Sequence, residues 1–293
     1  MTRPAPTPRA LSGAPQAQLR RRVSVDGKVF QLLGDTLLDA LNGMATITGE
    51  MRTTFRQQGF VVIPEVLSGE QIANGRRMVA AMLERKPYAD GHVGPYFLWP
   101  RFPSTGHPLL AFYQETGIGK LADQLLRTDL AVHDPDFAQV ATTIPPWPHP
   151  PGGPHVDGLT PGEADGRPGT FSLLAGVWLT DHDRRHRGNL WAWPGTHLRF
   201  GQYLAERGAD ALARVEEMNP GPYPKIELGE PTQAVGSAGS VLFAHYLLAH
   251  NIGDHDGVAE TGRRETVYYR LHASGHRDRW REAVTDPLAE FRS

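Results

Sequence analysis

The chain has 293 residues, a length that suits one large domain or two small ones, and 40% hydrophobic against 21% charged residues supplies material for a sizeable core. A formal net charge of -2 gives no reason to expect nucleic acid or an anionic membrane as partner, and no apolar run approaches the length of a membrane span. Cysteine is absent, which excludes disulfides, thiolate metal sites, iron–sulfur clusters and cysteine nucleophiles, so any metal must be held by His, Asp or Glu.

Residues 1–22 are rich in Pro, Ala and Arg, lack the apolar core of a secretory signal, and read as a disordered tail of a cytoplasmic protein. Residues 23–293 read as a single domain. A helix is predicted from Thr48, burying Met51 and Phe55 at i, i+4 spacing and stopping at Gly59. The run Phe60-Val61-Val62-Ile63 is a short buried strand ended by Pro64. Ser68 with Gln71 forms a capping box for a second helix, whose apolar positions are Ile72, Val79, Met82 and Leu83. The aromatic segment Tyr96-Phe97-Leu98-Trp99, followed by Arg101, is a candidate pocket wall. A short helix containing Ile118, Leu121 and Leu125 follows.

Beyond about residue 130 the character changes, and short β-prone runs at 137–144, 172–180, 189–193, 240–248 and 266–271 alternate with Pro and Gly clusters. The reading is an α+β, mainly β chain: N-terminal helices flanking a sandwich or jelly roll at about 130–275. One helical insertion, 201–217, interrupts it, with Tyr203, Leu204, Leu212 and Val215 as its buried residues.

His155-Val156-Asp157 places an imidazole and a carboxylate on one face of extended backbone, within reach of one ion. Alone, this pattern arises often by chance and is equally that of a surface loop in which Asp157 caps a turn. His250, at the end of the run 241–248, supplies the second imidazole of a two-His, one-carboxylate facial triad, which leaves metal positions open for a chelating co-substrate and O₂. Arg264 offers a planar, bidentate cation for the far carboxylate of 2-oxoglutarate, with Arg263 as its rival. His245 competes with His250 for the distal position, although five residues of strict alternation would set the two on opposite faces. His197 reads as a turn-stabilising residue, and His149, His182 and His186 as solvent-exposed.

The order of Gly59-Phe60-Val61-Val62-Ile63-Pro64, His155-Val156-Asp157, Gly188-Asn189-Leu190, Pro194-Gly195-Thr196-His197, His250 and Arg264 resembles the phytanoyl-CoA dioxygenase family. The resemblance implies a double-stranded β-helix (a jelly roll, cupin-like barrel), Fe(II) held by His155, Asp157 and His250, and 2-oxoglutarate and O₂ as co-substrates. It sets Arg264 on the co-substrate carboxylate, with Trp178 and Gln139 at positions bordering the same ligand. It departs in Gly239-Ser240, where the family strand begins Gly-Asp, and in Asn251-Ile252 after the distal histidine. The activity it implies is hydroxylation of a small-molecule metabolite or biosynthetic intermediate, with succinate and CO₂ released. Asp157 favours this outcome over halogenation, because halogenating relatives lack that carboxylate, and the same iron site also serves desaturation, ring closure or epoxidation. Two other classes fit the residues alone: a cupin-like metal enzyme that needs no 2-oxoglutarate, and a non-catalytic ligand-binding barrel.

Overall fold

The computed structural model describes residues 45–292 apart from 104–105, 151–152, 159–162, 164, 215–217, 220–222 and 258–261, together with the backbone of two short strands before them. The chain divides into two compact units, Met1–Met44 and Ala45–Ser293. In the first, β1 (Val23–Val25) and β2 (Lys28–Phe30) pair as an antiparallel hairpin. The tail expected at 1–22 lies outside the described residues. No described helix is long and apolar enough to cross a membrane.

In the second unit local chemistry sets the first two helices as the sequence predicts, while the helix expected to contain Leu125 ends at Asp123. Helix α1 (Gly49–Gln58) is capped by the Thr48 side chain, which accepts from the Met51 N–H, and stops at Gly59, whose φ of 84° only glycine adopts cheaply. Strand β3 (Phe60–Ile63) follows, then α2 (Gly69–Arg85) behind a full Ser68–Gln71 capping box. Val79 and Leu83 of α2 are buried, with Ile72 and Met82 packed partly against the core. Strand β4 (Gly94–Leu98) and helices α3 (Pro108–Glu115) and α4 (Ile118–Asp123) complete the N-terminal layer.

The β-prone runs become β5 (Ala138–Ile144), β6 (Leu173–Trp178), β7 (Leu190–Ala192), β8 (Thr232–Gln233), β9 (Val241–His245), β10 (His250–Ile252) and β11 (Arg264–Leu271). A six-stranded antiparallel sheet runs β3-β9-β6-β11-β5-β4, and a three-stranded sheet runs β10-β7-β8. The bridge His155↔His250 extends the smaller sheet by one further segment, so four short segments face the β9-β6-β11-β5 centre of the larger sheet. This is the double-stranded β-helix.

Strand alternation divides the core in two. Val267, Tyr269 and Leu271 of β11, with Val241 and Phe243 of β9, pack outward under the N-terminal helices. Tyr268, Leu242, Ala244 and Trp178 point between the sheets, in a core shared with the later helices. Those are α5 (Thr196–Arg207), a 3₁₀ turn (Ala209–Ala213) and α6 (His276–Thr285). The insertion expected at 201–217 thus begins five residues earlier, because Gly195, at φ 75°, releases the chain into helix directly after the Pro194 turn. Leu204 and Leu212 are buried as expected and Tyr203 is partly so, while Val215 lies outside the described residues.

Candidate metal centre

His155 precedes the tight turn at Asp157-Gly158, and its backbone N–H and C=O exchange hydrogen bonds with those of His250, at 3.0 and 3.1 Å. Gly158 has φ 73°, and a Cβ there would meet the Gly169 carbonyl oxygen at 2.1 Å, so only glycine allows the turn that aims Asp157 back at the histidines. Asp157 Oδ1 lies 3.6 Å from His155 Nε2 and 3.9 Å from His250 Nε2. One ligand atom from each of the three residues falls within 4.8 Å of the others, a spacing that could hold a metal ion. His250 Nδ1 donates to the Leu248 carbonyl at 2.9 Å, which fixes the tautomer and leaves Nε2 free to ligate.

The electrostatics suit a metal. Burial, reinforced by His250, pushes the His155 imidazole down to about 4, so it is neutral at physiological pH. Burial opposes the charge of Asp157, but His250, Arg270 and His155 outweigh it and hold the carboxyl below its ordinary range. The group is therefore ready to ligate without first losing a proton.

His245 lies outside the cluster of His155, Asp157 and His250. After β9 the chain turns at 246–249 and crosses to the smaller sheet, so the two histidines belong to different sheets. His245 Nε2 donates to the Pro287 carbonyl at 2.8 Å and Nδ1 accepts from the Leu247 N–H at 3.0 Å, which uses both nitrogens away from the cavity. His197 is buried in the first turn of α5 and bonds the Arg56 carbonyl at 3.1 Å. His186 is exposed and paired with Asp254 at 2.7 Å. His149 instead lines the cavity, stacked on Trp147 at 4.5 Å, and His182 is fully buried. The exposure expected of His182 fails because the bridge His182↔Gly236 draws that loop inward against Trp178, and that expected of His149 fails in part because its ring stacks on Trp147.

The cluster of His155, Asp157 and His250 opens onto a cavity of about 880 Å³. One wall is aromatic, with Phe97, Trp99, Phe137 and Trp147, and Arg101 and Gln139 line it too. Arg264 lies deeper. It opens β11 in register with Thr143 of β5, is 1% exposed, and donates from Nη2 to the Tyr268 hydroxyl at 2.5 Å. Tyr268 itself lines the cavity. Arg263 is excluded as the interior cation, since its Nε pairs with Glu265 at 2.7 Å on the opposite face of the strand.

Among the described residues, several buried polar atoms on the strands near Arg264 have no protein partner: Arg264 Nε and Nη1, Trp178 Nε1, and the hydroxyls of Thr143, Thr266 and Ser240. Trp178 pairs with Thr266 across β6–β11, and its ring lies 4.6 Å from that of His182. Buried polar atoms are normally bonded. A cation facing several unbonded donors fits a carboxylate-bearing ligand. Sequence reasoning missed Tyr268 and Arg270. Their signal was parity: 264, 266, 268 and 270 share one face of a strand.

A double-stranded β-helix with two imidazoles and a carboxylate gathered at a cavity wall, backed by a buried arginine, defines the class of iron- and 2-oxoglutarate-dependent oxygenases. Residues 55–256 match the family model described as phytanoyl-CoA dioxygenase (PhyH), and the chain belongs to that family. Among solved structures it is similar to SnoK, a non-heme alpha ketoglutarate dependent carbocyclase from nogalamycin biosynthesis, at 20% identity and a TM-score of 0.50, covering 79% of this chain and 90% of that one. AviO1 from Streptomyces viridochromogenes is similar at 18% identity and a TM-score of 0.50, covering 78% and 96%. HygX from Streptomyces hygroscopicus, with nickel and 2-oxoglutarate bound, is similar at 17% identity and a TM-score of 0.48, covering 78% and 87%. The first two likenesses show the shared fold. No curated protein matches the chain in sequence.

Proposed function

We propose that this oxygenase hydroxylates a small organic molecule, with His155, Asp157 and His250 holding Fe(II) and Arg264 binding the far carboxylate of 2-oxoglutarate. The observation that carries the reading is the convergence of three ligand atoms, within 4.8 Å of one another, on a cavity large enough for both a co-substrate and a substrate. The unpartnered Nε and Nη1 of Arg264 support the co-substrate assignment, because a buried guanidinium keeps N–H donors there that a carboxylate can satisfy. Trp178 and Gln139 are proposed to flank the same ligand, Trp178 through its unpartnered indole N–H and Gln139 from the cavity wall. Bound Fe(II), with O₂ and 2-oxoglutarate, supplies the oxidising power for a C–H bond, one oxygen atom going to the product and the other to succinate as CO₂ leaves.

The chain's own residues orient and protect. The Nδ1–H of His250 anchors that ring to Leu248, and the neutral His155 and ionised Asp157 present lone pairs at one point. Phe97, Trp99, Phe137 and Trp147 offer an apolar wall on which a ring-bearing substrate lies while water is excluded. The test is an anaerobic titration with Fe(II) and 2-oxoglutarate followed by visible absorption, on the native chain and on His250→Ala. A weak charge-transfer band that needs both additions and is lost in the variant supports the assignment. Iron binding without the band returns the reading to a cupin-like enzyme that needs no 2-oxoglutarate. Mass analysis of the product then separates hydroxylation, which adds one oxygen atom, from ring closure or epimerisation.

A further inference from the structure

Asp157 has two oxygens, and the fold treats them differently. Oδ1 faces the Nε2 atoms of His155 and His250 at 3.6 and 3.9 Å. Oδ2 is taken by Arg270 Nη2 at 3.2 Å. Arg270 sits six residues after Arg264 on the same face of β11, and its guanidinium lies over the rings of Trp99, Phe137 and Phe171 at 5.7, 5.5 and 5.3 Å. Three rings surround the cation, and its side chain is 20% exposed.

We propose that Arg270 is the positioning residue of the metal centre: it pins Asp157 Oδ2 so that the carboxylate ligates through Oδ1 alone. This inference rests on the metal-site reading above. A carboxylate free to rotate can close on an ion with both oxygens, and the second oxygen would take a coordination position that a chelating co-substrate and O₂ require. A charge-assisted bond to Oδ2 removes that option and stops the side chain turning away from the histidines. Groups that orient a ligand in this way typically change metal affinity by about 10- to 100-fold when removed.

The sign of the effect separates this role from simple electrostatics. Deleting a cation beside a metal site tightens metal binding if charge is all that matters. Deleting a positioning residue weakens it. Co(II) is the probe, titrated calorimetrically and by its visible absorption into the metal-free chain, into Arg270→Leu and Arg270→Lys, and into each on an Asp157→Ala background. Circular dichroism and thermal melting confirm that each variant is folded. The expected result is a loss of roughly tenfold or more for Arg270→Leu, a smaller loss for Arg270→Lys, and altered cobalt absorption in the leucine variant. On the Asp157→Ala background, Arg270→Leu should leave affinity unchanged or tighter. Should the leucine variant fail to fold, the lysine variant, compared across the two backgrounds, carries the same test. Equal or tighter binding by Arg270→Leu in the presence of Asp157, or the same loss with Asp157 removed, overturns the inference. A native chain that takes up no Co(II) overturns the metal-site reading instead, and this one with it.

Discussion

Arg264 donates from Nη2 to the hydroxyl of Tyr268 at 2.5 Å, and Tyr268 is the residue through which the buried guanidinium meets the cavity. The two share a strand face four residues apart, so the tyrosine takes one N–H of Nη2 and orients the guanidinium, while Nε and Nη1 have no protein partner. A hydrogen bond to a charged group contributes about 1.5–3 kcal/mol. Tyr268→Phe should therefore weaken 2-oxoglutarate binding by roughly tenfold and leave Fe(II) affinity unchanged. Arg264→Lys should weaken it further, since a single ammonium cannot reproduce the bidentate fork. Titration of 2-oxoglutarate into the metal-loaded chain measures both. Loss of metal affinity alongside would mean that the pair holds the barrel rather than the co-substrate.

Gly188 shows why the Gly-x-Leu pattern begins with glycine. Its φ is 74°, and a Cβ there would meet Arg264 Cδ at 2.8 Å and Thr143 Cβ at 3.4 Å. An alanine meets both problems at once, with a left-handed backbone cost of about 1–2 kcal/mol and displacement of Arg264. Gly188→Ala is expected to lower the melting temperature by several degrees and to weaken 2-oxoglutarate binding more than Fe(II) binding. Differential scanning calorimetry and the same titration check the pair of effects.

The Pro-Gly-Thr-His turn acts on the distal histidine through its threonine. Thr196 Oγ1 donates to the Trp193 carbonyl at 2.7 Å and accepts from the Ala249 N–H at 2.9 Å, tying the turn to the residue before His250. Thr196→Val keeps the shape and leaves the Ala249 N–H without its partner, at about 1–3 kcal/mol, while the Trp193 carbonyl still accepts from the backbone N–H of residue 196. Metal affinity is expected to fall roughly tenfold as His250 loosens, with helix α5 retained by circular dichroism. Unchanged affinity would show that Leu248 and the His155 bridge hold His250 unaided.

Local signals carried far in this chain. Thr48, Gly59 and the Ser68–Gln71 box set helix ends that the structure reproduces, because capping depends on neighbours a few residues apart. The His-X-Asp spacing marked His155 and Asp157 as candidates, although the turn at Gly158, not strand alternation, brings the carboxylate back to the imidazole. What the sequence hid depends on contacts between distant segments. Arg270 meets Asp157 only once β11 faces the smaller sheet, and His182 is buried only because Gly236 bridges to it. Helices α3 and α6 bury their apolar sides against residues far along the chain and escaped a reading by local pattern.

Acid should unfold the chain through buried histidines outside the metal centre. Burial pushes His197 down to about 4, against an ordinary 6.5, and drives His245 well below its usual range. Between those values the unfolded chain binds protons that the folded one refuses, so stability falls as pH drops from about 6.5 towards 4 and is fully present above that window. For His197 the penalty at the acid end is on the order of 3 kcal/mol. His245 adds to it, since protonating Nδ1 sets a new N–H against the Leu247 N–H it now accepts from. Its ring also lies 5.1 Å from that of His197, so the two charges would repel. Melting temperatures across this range, in a chelator that keeps metal out of the comparison, should decline steadily on acidification. His197→Gln cannot charge and is expected to flatten the decline even where it lowers the melting temperature near neutral pH. A profile unchanged in that variant would assign acid lability to other groups.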